Sequence, residues 1–367
     1  MKKLLFLSCL LMILVLSAFA QVPGQPVVAR QGKGVENMNV DSVVEFELLT
    51  SSEIKEKLKN GWTSVLVPTG GTEIRGPHAI TGVHTILARH RAVEAAKRLG
   101  KTIVVPTIPF AVAATGGFNA NTTWKSFAEE NGPTAPNPGA IQVTAETFKG
   151  IIQGHVDSLM YIGFKDIFLM GDHGGGQDQM RQVVEETNAK FSAKGIKVHH
   201  VGDFYSKTHE DIDLYMYSHK LPIAGHGGMM ETAEMMYWEP SQFAYIRPTF
   251  KTVPFDGARF EGPSLEADLA AWKARRDASA AAAAAGGGGR GGGGGRGGGD
   301  AAAGGRGGGG RGGGAAVNPN APPRVNNGLS GNPHPATKGI GKDLAEIGIM
   351  NTVNQVKKLL SERGSNQ

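Results

Sequence analysis

The chain has 367 residues, of which 40% are hydrophobic and 54 are glycine, and its formal net charge is +5 at pH 7. Without Lys2, Lys3, the four arginines of a glycine-rich tract and Asp300, the charge balance is about zero. The remainder lacks the basic excess of nucleic-acid-binding domains, so we expect no nucleic-acid partner. The single cysteine, Cys9, lies in the first residues, which excludes disulfides and thiolate metal sites from the rest of the chain.

The N-terminal residues have the pattern of a secretory signal. Two lysines precede an apolar run over residues 4–18, and Ala18-Phe19-Ala20 forms a small-x-small cleavage site. We predict a cleavable signal peptide over residues 1–20 and a periplasmic or secreted bacterial protein; the alternative is an N-terminal membrane anchor. Residues 21–50 are predicted to be an extended arm. No later run reaches ~18 apolar residues, so we expect no membrane span after cleavage.

Beyond the arm, short apolar runs alternate with helical patterns. The runs have the length of buried strands, and glycines close several of the helical segments. This alternation predicts a three-layer α/β/α fold with a mostly parallel sheet that helices cover on both faces. The predicted strands are 64–68, 102–106, 166–170 and 196–201, and the predicted helices are 52–60, 84–99, 144–162, 179–194, 228–238, 264–276 and 339–362.

A tract over residues 278–325 consists mainly of glycine, arginine and alanine. It has no hydrophobic periodicity and too few apolar residues for a core, so we predict a disordered insertion. It separates an α/β domain over residues 51–277 from a C-terminal segment over 326–367 that completes the domain. Such an insertion is tolerated because closure entropy grows only with the logarithm of loop length. An RNA-binding tract is the functional alternative to a linker.

Three glycine-rich turns carry the residues that could perform chemistry. The first covers residues 72–78 and is followed by His84, the second covers 171–177, and the third covers 225–232. The first two come directly after predicted strands, at the edge where open α/β sheets place their sites. Each turn holds a histidine, an acid or both, and glycine lets the backbone approach a ligand closely. Together they predict one crevice that holds a metal ion.

These turns resemble the motifs of the creatininase (creatinine amidohydrolase) family. That family has a Glu-x-His-Gly-Pro-His segment followed by an aspartate, then an Asn-Gly-His-Gly-Gly-Asn segment, a His-Ala-Gly-x-x-Glu-Thr-Ser segment and a final Gly-x-x-Gly-Asp-Pro run. The corresponding segments here begin at Glu73, Gly171, His226 and Gly328. The resemblance covers about residues 50–250 and 327–362. It implies a creatininase-like fold and a metal-dependent hydrolase of non-peptide or cyclic amides, often hexameric, with one or two divalent ions.

The resemblance also assigns roles to matching residues. It implies that Glu73 and His173 bind metal. It implies that His226 is catalytic, and that Glu231 is the glutamate that follows this histidine in the family. Methionines and aromatic residues near the third turn are expected to form core or pocket wall.

Three positions depart from the family pattern. Arg75 stands where a ligand of the second metal is histidine, and His84 stands where an aspartate bridges two metals. Gly175 replaces a glutamate ligand of creatininase itself, although many relatives also have glycine there. An imidazole ordinarily serves one metal, and a nearby guanidinium repels a second cation. We therefore predict one divalent ion, zinc first and iron or manganese as alternatives, held by Glu73, His84 and His173 with an open position for water.

The predicted reaction is attack of a metal-bound water on an amide or lactam carbonyl. Glu231 or His226 takes and returns the proton, and Arg75 is a catalytic residue that holds the carbonyl oxygen or a substrate carboxylate. Asp172 is expected either to orient a neighbouring histidine, His173, or to face solvent. His78 is expected to be structural.

The predicted function is an exported amidohydrolase that cleaves carbon–nitrogen bonds other than peptide bonds in a small amide or lactam. By resemblance it is a homo-oligomer, a hexamer. One alternative is a creatininase-fold binding protein that has lost catalysis, and another is a lactone or ester hydrolase with the same site. The histidine at position 84 favours retained metal binding over the first alternative. In a protein that had lost its metal, a residue that cannot bind metal would more often stand at this position.

Overall fold

The computed structural model describes residues 42–112, 140–223, 225–255, 265–284, 327–329 and 331–364. The predicted signal peptide, the predicted arm up to residue 41 and residues 285–325 of the predicted insertion lie outside these residues. Among the described residues, no helix combines the length and the apolar character that crossing a membrane requires.

Parallel strands form the centre of the fold. The strands are β1 (Ser64–Thr69), β2 (Thr102–Val104), β3 (Ala111–Val112), β4 (Gln142–Val143), β5 (Asp166–Gly171) and β6 (Lys197–His200). Four of them make one sheet in the order β2-β1-β5-β6, with every neighbouring pair parallel, and β3 pairs with β4 in a separate parallel ladder. Every residue of β5 is buried, as expected for a strand covered on both faces.

Two groups of helices cover this sheet. The helices are α1 (Ser51–Lys59), α2 (Val83–Leu99), α3 (Ala145–Ile162), α4 (Gln177–Phe191), α5 (Ser206–Ser218), α6 (Met229–Trp238), α7 (Leu265–Ala284) and α8 (Lys338–Gly364). Helices α2, α6 and α8 contact one another, and α2 also contacts β1 and β2. Helices α3 and α4 contact each other, and α4 contacts β6. These layers confirm the predicted three-layer α/β/α architecture.

Local sequence signals set the helix ends. The side chain of Thr144 accepts a hydrogen bond from the backbone of Thr147 and so caps α3, and Gly163 ends that helix in the left-handed region at φ 119°. Thr50 and Glu53 form a reciprocal capping box at the start of α1. The bounds of most predicted helices and strands agree with the observed bounds to within about three residues at either end.

Two parts of the helical structure differ from the predictions. Helix α7 runs to Ala284, so the prediction of disorder is wrong for residues 278–284. That stretch is almost all alanine, the residue with the highest helix propensity. Helix α5 has no counterpart among the predicted helices, because its sequence is mostly polar. In the structure this helix buries only Thr208, Ile212 and Met216.

The strand order creates a crevice between β1 and β5. From β1 the chain first adds β2 on one side, and later adds β5 on the other side of β1. In open α/β sheets, ligands bind outside the carboxyl ends of the strands at such a switch point. Thr69 pairs with Gly171, so both strands end at the same level. The turns that follow β1 and β5 therefore meet at one place.

A half-buried histidine, His90, makes the stability of the fold depend on pH. The His90 ring stacks on Trp238 with 4.5 Å between ring centroids, and burial together with the charge of Arg89 lowers its pKa to about 4. The unfolded chain then binds more protons than the folded one between about pH 6.5 and pH 4, so stability falls as the pH is lowered through that window.

We expect His90→Gln to reduce the loss of unfolding free energy between pH 7 and pH 4.5. The reduction should be on the order of 1–2 kcal/mol, since His90 is partly exposed to solvent. Urea unfolding at the two pH values measures it, with His155→Gln on α3 as the control. A pH slope identical in His90→Gln and in the unchanged protein would show that His90 titrates normally.

Candidate metal centre

Three buried side chains converge at the carboxyl ends of β1 and β5. Glu73 lies in the turn after β1, His173 lies in the turn after β5, and His84 is the second residue of α2. Each offers one potential ligand atom, and these atoms all lie within 4.8 Å of one another. The structure thus brings together the three residues predicted as metal ligands.

Arg75 lies among these three residues, and it is 1% exposed. Its Nη2 is 2.7 Å from Glu73 Oε2 and also contacts Nε2 of His84. On its other side, Arg75 Nε is 3.0 Å from Glu231 Oε2. The guanidinium is therefore a buried cation between two carboxylates, and it contacts two of the three candidate ligands.

The third glycine-rich turn completes the cluster. Nδ1 of His226 lies 3.1 Å from Arg75 Nη1, and Glu231 Oε2 accepts a hydrogen bond of 2.7 Å from the backbone of Gly227. Gly227 has φ 62°, and a Cβ there would lie 2.6 Å from the carbonyl oxygen of Arg75, so only glycine fits this approach. All six residues predicted as ligands or catalytic groups are therefore neighbours.

Asp172 contacts a different histidine from the expected one. Its Oδ2 lies 2.9 Å from His84 Nδ1, and it is 1% exposed, so both expectations for this residue are wrong. Its Oδ1 lies 2.5 Å from Nη1 of Arg91 on α2, and Arg91 also forms a two-pronged ion pair with Glu234 on α6. The sequence analysis missed Arg91 and Glu234.

His173 makes two hydrogen bonds that define its neutral form. Its Nδ1 accepts from the backbone N–H of Gly175 at 2.9 Å, so the ring proton is on Nε2, which donates to Glu73. A cation that binds through Nε2 has to replace this proton. A Cβ at Gly175 would lie 2.6 Å from the carbonyl oxygen of Val112, so no side chain there supplies a further ligand.

Buried charges set the protonation states of the cluster. Burial by itself raises the pKa of Glu73, but the hydrogen bond from His173 and the charge of Arg75 lower it well below its usual range. For Glu231, burial likewise acts to raise the pKa, and the charge of Arg75 brings it below its usual value. Burial and Arg75 lower the pKa of His84, so its imidazole is neutral. Glu73 and Glu231 are therefore ionised, and they lie beside a neutral His84.

These donors fit a divalent cation. Glu73 Oε2 is buried and forms an ion pair with Arg75, but it accepts no hydrogen bond from the described residues. Two imidazoles and one carboxylate form a ligand set of catalytic zinc sites. The guanidinium of Arg75 competes for the same atoms, so an ion that binds Glu73 and His84 has to displace some of its contacts.

Other features near the turns lie outside the cluster. His78 is fully buried, contacts Thr232 Oγ1 at 3.0 Å, and has its pKa lowered to about 4 by burial. A cavity of ≈ 350 Å³ lies at the C-terminal end of α6, lined by residues such as Glu239, Phe243 and Lys338. None of the six predicted site residues lines it.

The fold and the cluster define a class, namely parallel α/β/α proteins with a carboxylate–imidazole site at the switch point of the sheet. Comparison with known families gives the particular family. The creatininase model, described as creatinine amidohydrolase, matches residues 47–356. The chain therefore belongs to the creatininase family, as the sequence motifs predicted.

Solved structures share the fold, and a curated relative shares part of the sequence. A crystal structure of creatinine amidohydrolase (creatininase) superposes with a TM-score of 0.55 at 15% identity, and covers 86% of this chain and 97% of its own. A structure described as "Creatininase Mn" gives a TM-score of 0.52 at 16% identity, with 86% and 98% covered. The 3-dehydro-scyllo-inosose hydrolase of Thermotoga maritima is 26% identical over 131 residues. That alignment spans only 36% of the relative's length and 36% of this chain.

Proposed function

We propose that this protein is a metal-dependent hydrolase of non-peptide or cyclic amides that uses one divalent ion. The observation that carries the proposal is the buried group of Glu73, His84 and His173, whose ligand atoms lie within 4.8 Å of one another. Family membership supports the reaction class, since the matching model is described as creatinine amidohydrolase. The substrate class we propose is a small amide or lactam.

Zinc is the ion we propose first, with manganese or iron as alternatives. The donor set of two imidazoles and one carboxylate suits all three. The related structure described as "Creatininase Mn" supports manganese as a second candidate. When bound, the ion would lower the pKa of a water molecule and polarise the carbonyl group of the substrate.

The chain's own residues would perform the remaining tasks. Arg75 is positioned to stabilise negative charge that develops on the carbonyl oxygen, because its guanidinium is fixed by Glu73 and Glu231. Among the two candidates for proton transfer we favour His226. It is partly exposed, whereas Glu231 is buried and already accepts from Gly227.

The orientation of His226 specifies how it would act. Its Nδ1 faces Nη1 of Arg75, which can only donate, so in the neutral ring the proton is on Nε2. To act as the base, the ring would accept a proton from the attacking water at Nδ1 once Nη1 of Arg75 turns to the substrate oxygen, and the imidazolium so formed would donate its Nε2 proton to the leaving nitrogen. Glu231 would then be a positioning residue that holds Arg75.

The proposal includes the location and the oligomeric state of the protein. The signal-like pattern of residues 1–20 supports export to the periplasm or the medium. The family resemblance supports a homo-oligomer, with a hexamer as the first candidate.

A second candidate function is a binding protein that keeps the fold without catalysis. The contacts of Arg75 favour it, because the guanidinium neutralises Glu73 without any metal. A lactone or ester hydrolase with the same site is a third candidate, since the same chemistry attacks either carbonyl. Substrate profiling separates it from the amidase.

Elemental analysis of the purified mature chain, residues 21–367, tests the proposal first. We expect about one equivalent of zinc, manganese or iron per subunit, since the described residues offer one three-ligand group. The same sample should then hydrolyse members of an amide and lactam panel, and a chelator should abolish turnover.

Other outcomes of this experiment are equally informative. About two equivalents would show that Arg75 does not prevent a second ion from binding. No metal, even after zinc and manganese are added back, would contradict the proposal and favour the binding protein. Turnover of lactones without any amide would favour the third candidate.

A further inference from the structure

Asp172 is a buried carboxylate for which the proposed mechanism has no use. It lies directly after β5, next to His173, but its contacts lead to α2 instead. Its two oxygens are divided between two partners, since Oδ2 is 2.9 Å from His84 Nδ1 and Oδ1 is 2.5 Å from Arg91 Nη1. Both partners are buried, with Arg91 only 1% exposed.

These contacts determine which ring nitrogen of His84 carries the proton. A carboxylate only accepts, so the nitrogen facing Asp172, Nδ1, must donate. A guanidinium only donates, so the nitrogen facing Nη2 of Arg75, Nε2, must accept. The two neighbours independently require the same tautomer, with the proton on Nδ1 and the lone pair on Nε2.

We propose that Asp172 is a positioning residue that fixes His84 in the Nδ1–H tautomer. This tautomer keeps the lone pair on Nε2, which Arg75 contacts in the structure and which a cation held by Glu73 and His173 would take over. The proposal deepens the function proposed above and rests on it for the identity of the ligand, a divalent cation. A carboxylate behind a histidine ligand orients the ring and raises its basicity, and removing such a partner typically lowers metal affinity by about 10–100-fold.

A chain of charged groups holds Asp172 in place. Arg91 donates to Asp172 through Nη1 and to both oxygens of Glu234 through Nε and Nη2. Glu234 is 0% exposed, and Trp238 Nε1 contacts its Oε1 at 3.5 Å. The arrangement connects the turn after β5 to α2 and α6. It therefore fixes the direction from which Asp172 approaches His84.

Asp172→Asn is the variant that separates positioning from simple packing. The amide has the shape of the carboxylate but only one oxygen. Arg91 can only donate, so the oxygen faces Arg91 and the NH2 group faces His84 Nδ1. His84 would then have to accept at Nδ1 and carry its proton on Nε2, which breaks its contact with the donor Nη2 of Arg75 and would block a cation.

The experiment measures both the tautomer and the affinity. In metal-free protein labelled with 15N-histidine, long-range 15N–1H spectra report which nitrogen of His84 is protonated, and His84→Gln assigns the signals. We expect Nδ1–H in the unchanged protein and Nε2–H in Asp172→Asn. Zn²⁺ titration against a competing chelator should show a loss of affinity of about 10–100-fold in the variant.

Asp166→Asn is the matched control. Asp166 begins the same strand β5, is buried, and also divides its oxygens between a histidine, His199, and an arginine, Arg363. It lies at the opposite end of the strand from the candidate site. This variant should leave the His84 tautomer and the Zn²⁺ affinity unchanged.

The outcomes distinguish this proposal from the proposed function. A His84 proton on Nε2 in the unchanged protein overturns the positioning role, and this spectrum requires no variant to fold. An equal loss of affinity in Asp166→Asn and Asp172→Asn also overturns it, because the effect would then be general. If the unchanged protein binds no Zn²⁺ but the tautomer switches in Asp172→Asn, the positioning role holds and the metal-dependent function fails.

Discussion

Replacement of His173 with alanine is expected to abolish both metal binding and turnover. His173 is one of the three candidate ligands, and its Nε2 is in direct hydrogen-bond contact with Glu73. Removing a ligand should lower metal affinity by more than about 100-fold, since losing a partner behind a ligand alone lowers it by 10–100-fold. Metal content after dialysis and the rate of amide hydrolysis measure the two effects.

The control for this variant is His155→Ala on α3. His155 is partly buried and contacts the backbone of Ile151 within its own helix. His155→Ala is therefore the same substitution at a position outside the glycine-rich turns. It should retain metal and activity. If His173→Ala keeps about one equivalent of metal and full turnover, Glu73, His84 and His173 are not the ligand set.

The location of the candidate site could be predicted from short-range signals. Glycine-rich turns follow the apolar runs that become β1 and β5, and both strands end at the switch point of a parallel sheet. Because parallel strands place their carboxyl ends at one edge, turns far apart in the sequence meet there. The grouping of Glu73, His84 and His173 follows from this rule together with the family resemblance.

The direction of individual side chains could not be predicted in the same way. Asp172 adjoins His173 in the sequence but contacts His84, because the side chain after β5 points toward α2. A long, flexible side chain such as Arg75 takes its orientation from partners that are distant in the sequence, and its partner Glu231 lies at the start of α6. Sequence motifs contain the residue types but not these directions.

Arg91 and Glu234 show a signal that sequence analysis could have used. Arg91 lies seven residues after His84, two helical turns along the same face of α2, where its neighbours Leu87 and Ala88 are buried. A charged residue on an otherwise apolar helical face requires a buried partner. The identity of that partner, Glu234 on α6, depends on packing between helices and is not readable from α2 alone.

The buried position of Arg75 leads to the second large effect. Arg75→Ala leaves the carboxylates of Glu73 and Glu231 buried without their shared cation. Removing one partner of a buried ion pair typically costs about 3–5 kcal/mol of stability. We expect a loss of this size in urea unfolding of the metal-free protein.

A surface arginine provides the comparison. Arg98 pairs with Glu346 at a partly exposed position, with side chains 36% and 52% exposed. Exposed pairs contribute at most about 1 kcal/mol, so Arg98→Ala should have a small effect. An equally small effect of Arg75→Ala would show that its carboxylate partners are hydrated or protonated.

Adding a divalent ion to Arg75→Ala separates the two leading functions. In the unchanged protein, the guanidinium and the ion compete for Glu73 and His84, so part of the binding energy of the ion is spent on displacing Arg75. In the variant that competition is absent and the ion is the only cation available to Glu73.

The hydrolase proposal therefore predicts that saturating Zn²⁺ raises the melting temperature more in Arg75→Ala than in the unchanged protein, by mass action on the folded state. Turnover should nevertheless fall, because no fixed cation remains beside the developing oxyanion. A variant that is destabilised and gains nothing from Zn²⁺ would instead mean that Arg75 has permanently taken the place of the metal, as in a protein that binds ligands without catalysis.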